Sequence, residues 1–348
     1  KRQVHSLNHG EVHLFDAGLR TLVQAALKSG NLKVKDKPQP ADAYIIAVPT
    51  PFKENKQADL SYVVSAAESI APFLKPGNLV ILESTSPPRT TVDILAPILE
   101  RSGLRAGFDF YLAYSPERVL PGQILRELIE NARIIGGLNQ PSAEAGRDLY
   151  SIFVRGEIIL TDATTAEMVK LMENTYRDIN IAVANEFAQL ADKFHVDVWE
   201  AIALANRHPR VKILNPGPGV GGHCISVDPY YLTHKAAQVG HHPQVILAGR
   251  RTNDGMGGYV ADQVIKLMLR KGINPVHARV LVLGLAFKEN CPDLRNTRVV
   301  DIVDTLRGYN CEVDVFDPWV DVAEAEHEYG LTPIQQPEPG VYDAIIVA

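Results

Sequence analysis

A single cysteine, Cys224, closes a run rich in glycine and proline, NPGPGVGGHC at residues 215–224. Such a run has little helix or strand propensity and lets the backbone pass close to a ligand. Asp228 follows four residues later, then Pro229 and a Tyr-Tyr-Leu that reads as the start of a helix. A small-residue cradle, a thiol and a nearby carboxylate suggest a covalent catalytic site. Only the thiolate attacks, so a cation nearby would assist it. The bland reading is a glycine turn beside an ordinary buried cysteine. The stretch alone does not choose between them.

Other polar clusters sit where strands should end. Residues 43–48, 79–82 and 110–113 are short apolar runs, and each leads into polar, turn-forming residues: PTP, EST and SPER. Residues 133–135 and 157–160 read as further strands, and 62–74 and 90–101 as helices. Strands separated by single helices imply crossover units and a mostly parallel sheet. Ligands bind beyond the carboxyl ends of such strands, where all three clusters would lie.

Residues 162–194 form one long helical pattern, with Thr164 or Thr165 as N-cap. Roughly 30 residues span about 45 Å, long enough to connect two domains. Lys170, Asn174 and Arg177 fall at i, i+4 and i+7 and share one face. The ordinary reading of such a stripe is a solvated surface. Shorter helices follow at 198–204, 230–239, 244–253 and 259–271. Strands at 279–285, 312–316 and 342–348, with a helix at 298–307, restart the alternating pattern. The expected class is α/β: two Rossmann-like, doubly wound domains joined by the long helix and a helical central domain. The boundaries are 1–160 for a first alternating domain of the nucleotide-binding class, 161–274 for the central domain and 275–348 for a second domain of the same class as the first. No GxGxxG follows a predicted strand, since the one match, GPGVGG at 217–222, lies in the cysteine loop; a dinucleotide fingerprint would therefore have to precede Lys1. Both ends read as cut, the first domain without its first strand and the last one truncated.

The 348 residues suit two or three domains, with 46% hydrophobic and 22% charged residues as in ordinary globular proteins. A net charge of -6 argues against nucleic acid as the main partner. The three cysteines make no CxxC pair and no disulfide framework, which fits a reducing cytoplasm. No apolar run long enough for a bilayer and no signal peptide stand out.

Taken in order, the motifs resemble the UDP-glucose/GDP-mannose dehydrogenase family over essentially the whole chain. They are VPTP at 48–51, EST at 83–85, SPERVLPG at 115–122, KLMENTYRDINIAVANE at 170–186, GGHCISVDPYYL at 221–232 and GLAFKENCPDLRNT at 284–297. Each is short, but six in order are specific. NRHPRV at 206–211 before NPGPGVGGHC is most similar to the branch oxidising UDP-N-acetylmannosamine. The LRNT ending resembles the UDP-N-acetylglucosamine branch.

The resemblance implies a two-fold oxidation of the sugar 6-hydroxymethyl group by NAD, and a homodimer or higher homo-oligomer built around the long helix. It implies Cys224 as nucleophile, Lys170 as acid/base and oxyanion support with Asn174, and Asp228 and Glu117 orienting a water held by Thr85. Thr50, Pro51 and Thr85 would touch NAD, and Arg295 its phosphates. The UDP-sugar site would be lined by Arg118, Val119, Lys170, Asn174, Arg177, His208, Arg210, Gly221, Phe287 and Lys288. Arg250 would reach the substrate of a neighbouring subunit. One departure is Arg89, which stands before Thr90 where members of the family usually have glycine. It would crowd the nicotinamide loop or add a phosphate contact.

Two competing readings remain. His223, Cys224, His234, His241 and His242 cluster in sequence, but their spacing fits no zinc pattern. A nucleotide-sugar sensor would use the same fold without chemistry, and it would need neither Cys224 nor Lys170.

Overall fold

The computed structural model describes residues 2–10, 18–53, 55–119, 122–222, 224–288 and 292–348; His223 and Cys291 lie outside them. The chain forms two compact units, 1–172 and 173–348. Of the segment expected as a helical central domain, 161–172 belongs to the first unit and 173–274 shares the second with the C-terminal sheet.

The first unit begins with helices α1 (Arg2–Asn8) and α2 (Leu19–Lys28). Its sheet holds β1 (Ala43–Ile46), β2 (Leu79–Leu82), β3 (Tyr111–Tyr114), β4 (Arg133–Gly137) and β5 (Ile158–Asp162). The strands stand in sequence order, all pairs parallel except β3 with β4, where Ala113 lies opposite Gly137. Between them run α3 (Ser61–Ile70), a wide π-type turn Thr91–Leu95 leading into α4 (Ala96–Leu99), α5 (Ile124–Glu130) and α6 (Gln140–Tyr150). The run LVIL of β2 has no polar residue because both of its faces are covered. Val80 and Leu82 join a core with Val63, Ala67, Leu95 and Leu99; Leu79 and Ile81 join another with Ile135, Tyr150 and Val154.

The long helix α7 spans Ala163–Phe194, 32 residues. Its cap is Asp162, not Thr164 or Thr165. The Asp162 carboxylate accepts from Thr165 N at 2.9 Å and from the Thr165 hydroxyl at 2.5 Å. β5 runs directly into α7, so the last strand residue does the capping, and its negative charge suits the helix N-terminus.

The second unit contains α8 (Val198–Ala205), α9 (Asp228–Gln238), α10 (Gln244–Asp254) and α11 (Met256–Arg270). A three-stranded parallel sheet follows, in the order β7-β6-β8, from β6 (Arg279–Leu283), β7 (Glu312–Phe316) and β8 (Ala344–Val347). Val280 and Val282 of β6 pack with Ile265 and Met268 of α11 and with Ile302, Val303 and Leu306 of α12 (Val299–Gly308). A further helix, α13 (Val322–Tyr329), has no counterpart in the sequence reading. Ala325 is its one buried residue, so VAEAEHEY carries almost no apolar period. Among the described residues no helix is long and apolar enough to cross a membrane.

Arg89 occupies a left-handed backbone position, φ 75°. Its side chain neither crowds the loop nor stays free: it pairs with Asp93 at 2.7 Å and is 54% exposed. The buried carboxylate of Glu167, on α7, fixes the backbone there. It accepts from Arg89 N at 2.6 Å and from Thr91 N at 2.7 Å. A glycine would adopt this φ without the Cβ clash, and an exposed ion pair contributes little. Arg89→Gly should therefore stabilise the protein by about 0.5–1 kcal/mol. A thermal melt that shows the variant less stable than the parent would contradict this account.

Candidate active site

In the first unit the strand-end clusters are tied together by side chains that are not themselves reactive. Ser84 Oγ accepts from Val48 N and donates to Val48 O, both at 2.8 Å, joining the EST turn to the PTP turn. Thr50 is buried and Thr85 half-buried beside them. These turns follow the carboxyl ends of β1 and β2, where parallel sheets take nucleotides. A dinucleotide fits this edge: the residues present are small, polar and anchored.

The next link is Arg133, at the start of β4 and only 6% exposed. Its guanidinium donates to Glu117 Oε2 at 2.9 Å, Ser115 Oγ at 3.1 Å and Glu83 Oε1 at 3.3 Å. It stacks 4.3 Å from the centre of the Tyr150 ring, and the Tyr150 hydroxyl donates to Glu83. One cation thus joins the EST and SPER strand ends. The other carboxylate oxygen of Glu117 accepts from Arg118 N at 2.6 Å. The Glu117 carbonyl accepts from Lys170 Nζ at 2.9 Å, and Lys170 is 8% exposed. Lys170 and Glu117 are therefore brought together within this unit. The Arg118 guanidinium bonds Ala132 O, and Val119 is half-buried beside it.

In the second unit Cys224 is exposed at the end of its loop. Its carbonyl accepts from Asp228 N at 2.9 Å, so the turn runs directly into α9. Asp228 is 2% exposed and accepts from Asn174 Nδ2 at 2.5 Å. The glycines before the cysteine are dictated by Phe287. A Cβ on Gly221 would lie 2.5 Å from Phe287 Cβ, and one on Gly222 would lie 2.8 Å from its ring. Phe287 therefore acts as the seat of the cysteine loop, and Asn296 Nδ2 donates to Gly222 O at 3.0 Å on the same side. Lys288 next to it is exposed.

Arg177, His208 and Arg210 are exposed side chains. The Arg295 side chain is also exposed and paired with Asp293. Arg250 differs from the expectation. It is 1% exposed, and its guanidinium is bound to Asp178 at 2.6 Å and to Asp254. Asp254 also takes Arg298 and the Tyr230 hydroxyl. A buried guanidinium must be matched by carboxylates, and here its own unit supplies them, so the side chain does not extend outward. Sequence reasoning missed Arg133, Tyr150, Ser84 and Asp178. A charge heading an apolar strand reads as surface, and only pairing across strands shows otherwise. Among the described residues no group of three or more His, Cys, Asp or Glu gathers as metal ligands.

Burial raises the Glu83 carboxyl above the usual range, against the opposing effects of Tyr150 and Arg133. A raised native pKa means that Glu83 contributes most below the ordinary carboxylate value and that this contribution is lost as pH rises through the native one. Glu83→Gln stays neutral throughout. Its melting temperature relative to the parent should climb as pH rises above the ordinary carboxylate value of about 4.5. A difference that is flat, or that falls with pH, would show that burial does not dominate at Glu83.

Comparison with known proteins accounts for the two units. Family models of the UDP-glucose/GDP-mannose dehydrogenase family match as the NAD binding domain at residues 1–154, the central domain at 164–255 and the UDP binding domain at 281–348. The chain is 47% identical over 328 residues to the UDP-N-acetyl-D-mannosamine dehydrogenase of Methanococcus maripaludis, covering 93% of this chain and 74% of that protein. It is 48% identical over 312 residues to the UDP-N-acetyl-D-glucosamine 6-dehydrogenase of Pseudomonas aeruginosa, covering 89% and 74%. The solved structure of the UDP-D-ManNAc dehydrogenase from Pyrococcus horikoshii superposes with a TM-score of 0.88 at 44% identity, covering 92% of this chain and 77% of that one. With three domain matches in order and near-half identity over most of its length, this chain belongs to the UDP-glucose/GDP-mannose dehydrogenase family.

Proposed function

We propose that the protein oxidises the 6-hydroxymethyl group of UDP-N-acetyl-D-mannosamine to the carboxylate. The observation that carries this reading is an exposed thiol, Cys224, on a glycine loop moulded to Phe287, in a chain of this family. The mannosamine choice follows the names of the Methanococcus and Pyrococcus relatives; the glucosamine sugar is the runner-up, after the Pseudomonas relative. UDP-glucose is the third choice.

Bound NAD+ supplies the hydride acceptor for both oxidation steps. Thr50, Pro51 and Thr85 at the strand-end turns would hold it, with Arg295 toward its phosphates. In the first step Lys170 would take the hydroxyl proton as the same carbon gives up a hydride, which leaves an aldehyde. The Cys224 thiolate then adds to the aldehyde carbon. Lys170 and Asn174 stabilise the oxyanion of the resulting thiohemiacetal. Loss of its hydride makes a thioester on Cys224. Water oriented by Glu117, Asp228 and Thr85 attacks that carbon, the C–S bond breaks and the thiolate leaves. The sum is one alcohol, two NAD+ and one water giving one carboxylate, two NADH and three protons. Arg118, Val119, Arg177, His208, Arg210, Gly221, Phe287 and Lys288 form the UDP-sugar contacts, in which cations match the pyrophosphate.

The assembly is a homodimer or higher homo-oligomer. In support, Tyr176, Val183, Phe187, Leu190 and Phe194 of α7 are exposed at helical spacing, an unusual cost for a lone helix in water. The cytoplasmic location rests on cysteine usage, three thiols with no disulfide framework.

Two measurements test the reaction and the assembly. With excess NAD+, the full polypeptide should release two NADH per UDP-N-acetylmannosamine, and Cys224→Ala should keep UDP affinity while losing turnover. Unchanged NADH production by that variant would end the covalent mechanism, and two NADH from the glucosamine sugar alone would move the substrate to the runner-up. In light scattering, Phe187→Asp should lower the oligomer mass; a parent protein that is already monomeric would refute the α7 contact.

A further inference from the structure

We propose that Arg133 is a positioning residue for the oxidation: it holds Glu117 so that the Glu117 carboxylate faces water and its carbonyl seats Lys170. The inference rests on the proposed reaction and concerns a residue with no contact to substrate in that scheme.

The geometry is that of a fork with three targets. One Arg133 nitrogen donates to Glu117 Oε2 at 2.9 Å, and the other donates to Ser115 Oγ at 3.1 Å and Glu83 Oε1 at 3.3 Å. Ser115 and Glu117 belong to the SPER turn and Glu83 to the EST turn. The Tyr150 ring covers the guanidinium face at 4.3 Å. With Arg133 6% exposed, water cannot replace these partners. Glu117 is thus held from two sides, by Arg133 on the side chain and by Lys170 Nζ at 2.9 Å on the carbonyl. A planar fork does this and a point charge does not, because lysine presents one nitrogen where two separated ones are in use. Two carboxylates share this one cation, and Glu117 is the nearer, at 2.9 Å against 3.3 Å for Glu83.

If Arg133 sets Glu117, its loss should slow water attack on the thioester more than it slows either hydride step. The test uses Arg133→Met and Arg133→Lys in the full polypeptide with UDP-N-acetylmannosamine and NAD+. The expected result is a kcat lower by about 10–100-fold with both KM values within about threefold. A rapid burst of up to two NADH per site should precede the slow phase, with a sugar-nucleotide adduct on Cys224 in the intact mass. Arg133→Lys, which keeps the charge and folds more readily, should show the same burst with a smaller loss. If both variants turn over as the parent does, or lose kcat with no burst and no adduct, Arg133 does not position Glu117. If the parent itself releases no NADH with any of the three UDP-sugars, the proposed reaction fails and the inference falls with it. A parent that gives two NADH while the variants show no adduct removes the inference alone.

Discussion

A buried guanidinium cannot stand alone in a low-dielectric interior, and the first unit is organised by that constraint. Arg133 lies at the start of an otherwise apolar strand, where its charge must be met by carboxylates and hydroxyls. Glu83, Ser115 and Glu117 meet it, and these residues belong to the two turns that carry the candidate chemistry. Thr85 and Lys170 then inherit their positions from a network that does no chemistry of its own. The second unit repeats the device with Arg250, held by Asp178 and Asp254. In the first unit the cost of burying charge is offset by a polar network that also limits the arrangements the surrounding loops can take, whereas around Arg250 the network leaves Arg250 Nε and Asp178 Oδ2 without hydrogen-bond partners among the described residues.

The cysteine loop depends on a different constraint, that of volume. Gly221 and Gly222 lie so close to Phe287 that any side chain there would overlap it. Asn185 Oδ1 accepts from Gly217 N at 2.8 Å, and Asn253 packs on Asn185, so the loop is fastened before the glycines as well as at them. The thiol is left exposed at the end of a segment whose backbone has few alternatives. Such an arrangement suits nucleophilic catalysis, where the attacking atom must be accessible and its approach direction fixed.

The relation of sequence to site differs between the two units. The Cys224 motif was legible because a run of glycine and proline cannot extend a helix or a strand, and so must carry its thiol on a loop. Lys170, Asn174 and Arg177 were legible only as a helical stripe, and the structure separates their surroundings: Lys170 is buried on Glu117, Asn174 is bound to Asp228 and Arg177 is exposed. Arg250 and Arg133 were the residues least open to sequence reading. An arginine in a polar helix or at a strand end looks solvated until the partners that bury it are known.

The sequence by itself determined the class of fold, the strands that build it, the long helix and the candidate nucleophile. These rest on local period, on glycine and proline chemistry and on motif order, all of which are carried by neighbouring residues. Tertiary structure alone decided which charges are buried, that β3 and β4 run antiparallel and that Arg89 occupies a left-handed position braced by Glu167. Each of these depends on residues far apart in the chain or on a backbone angle, and charge pairing in a low-dielectric interior is settled by distance in space.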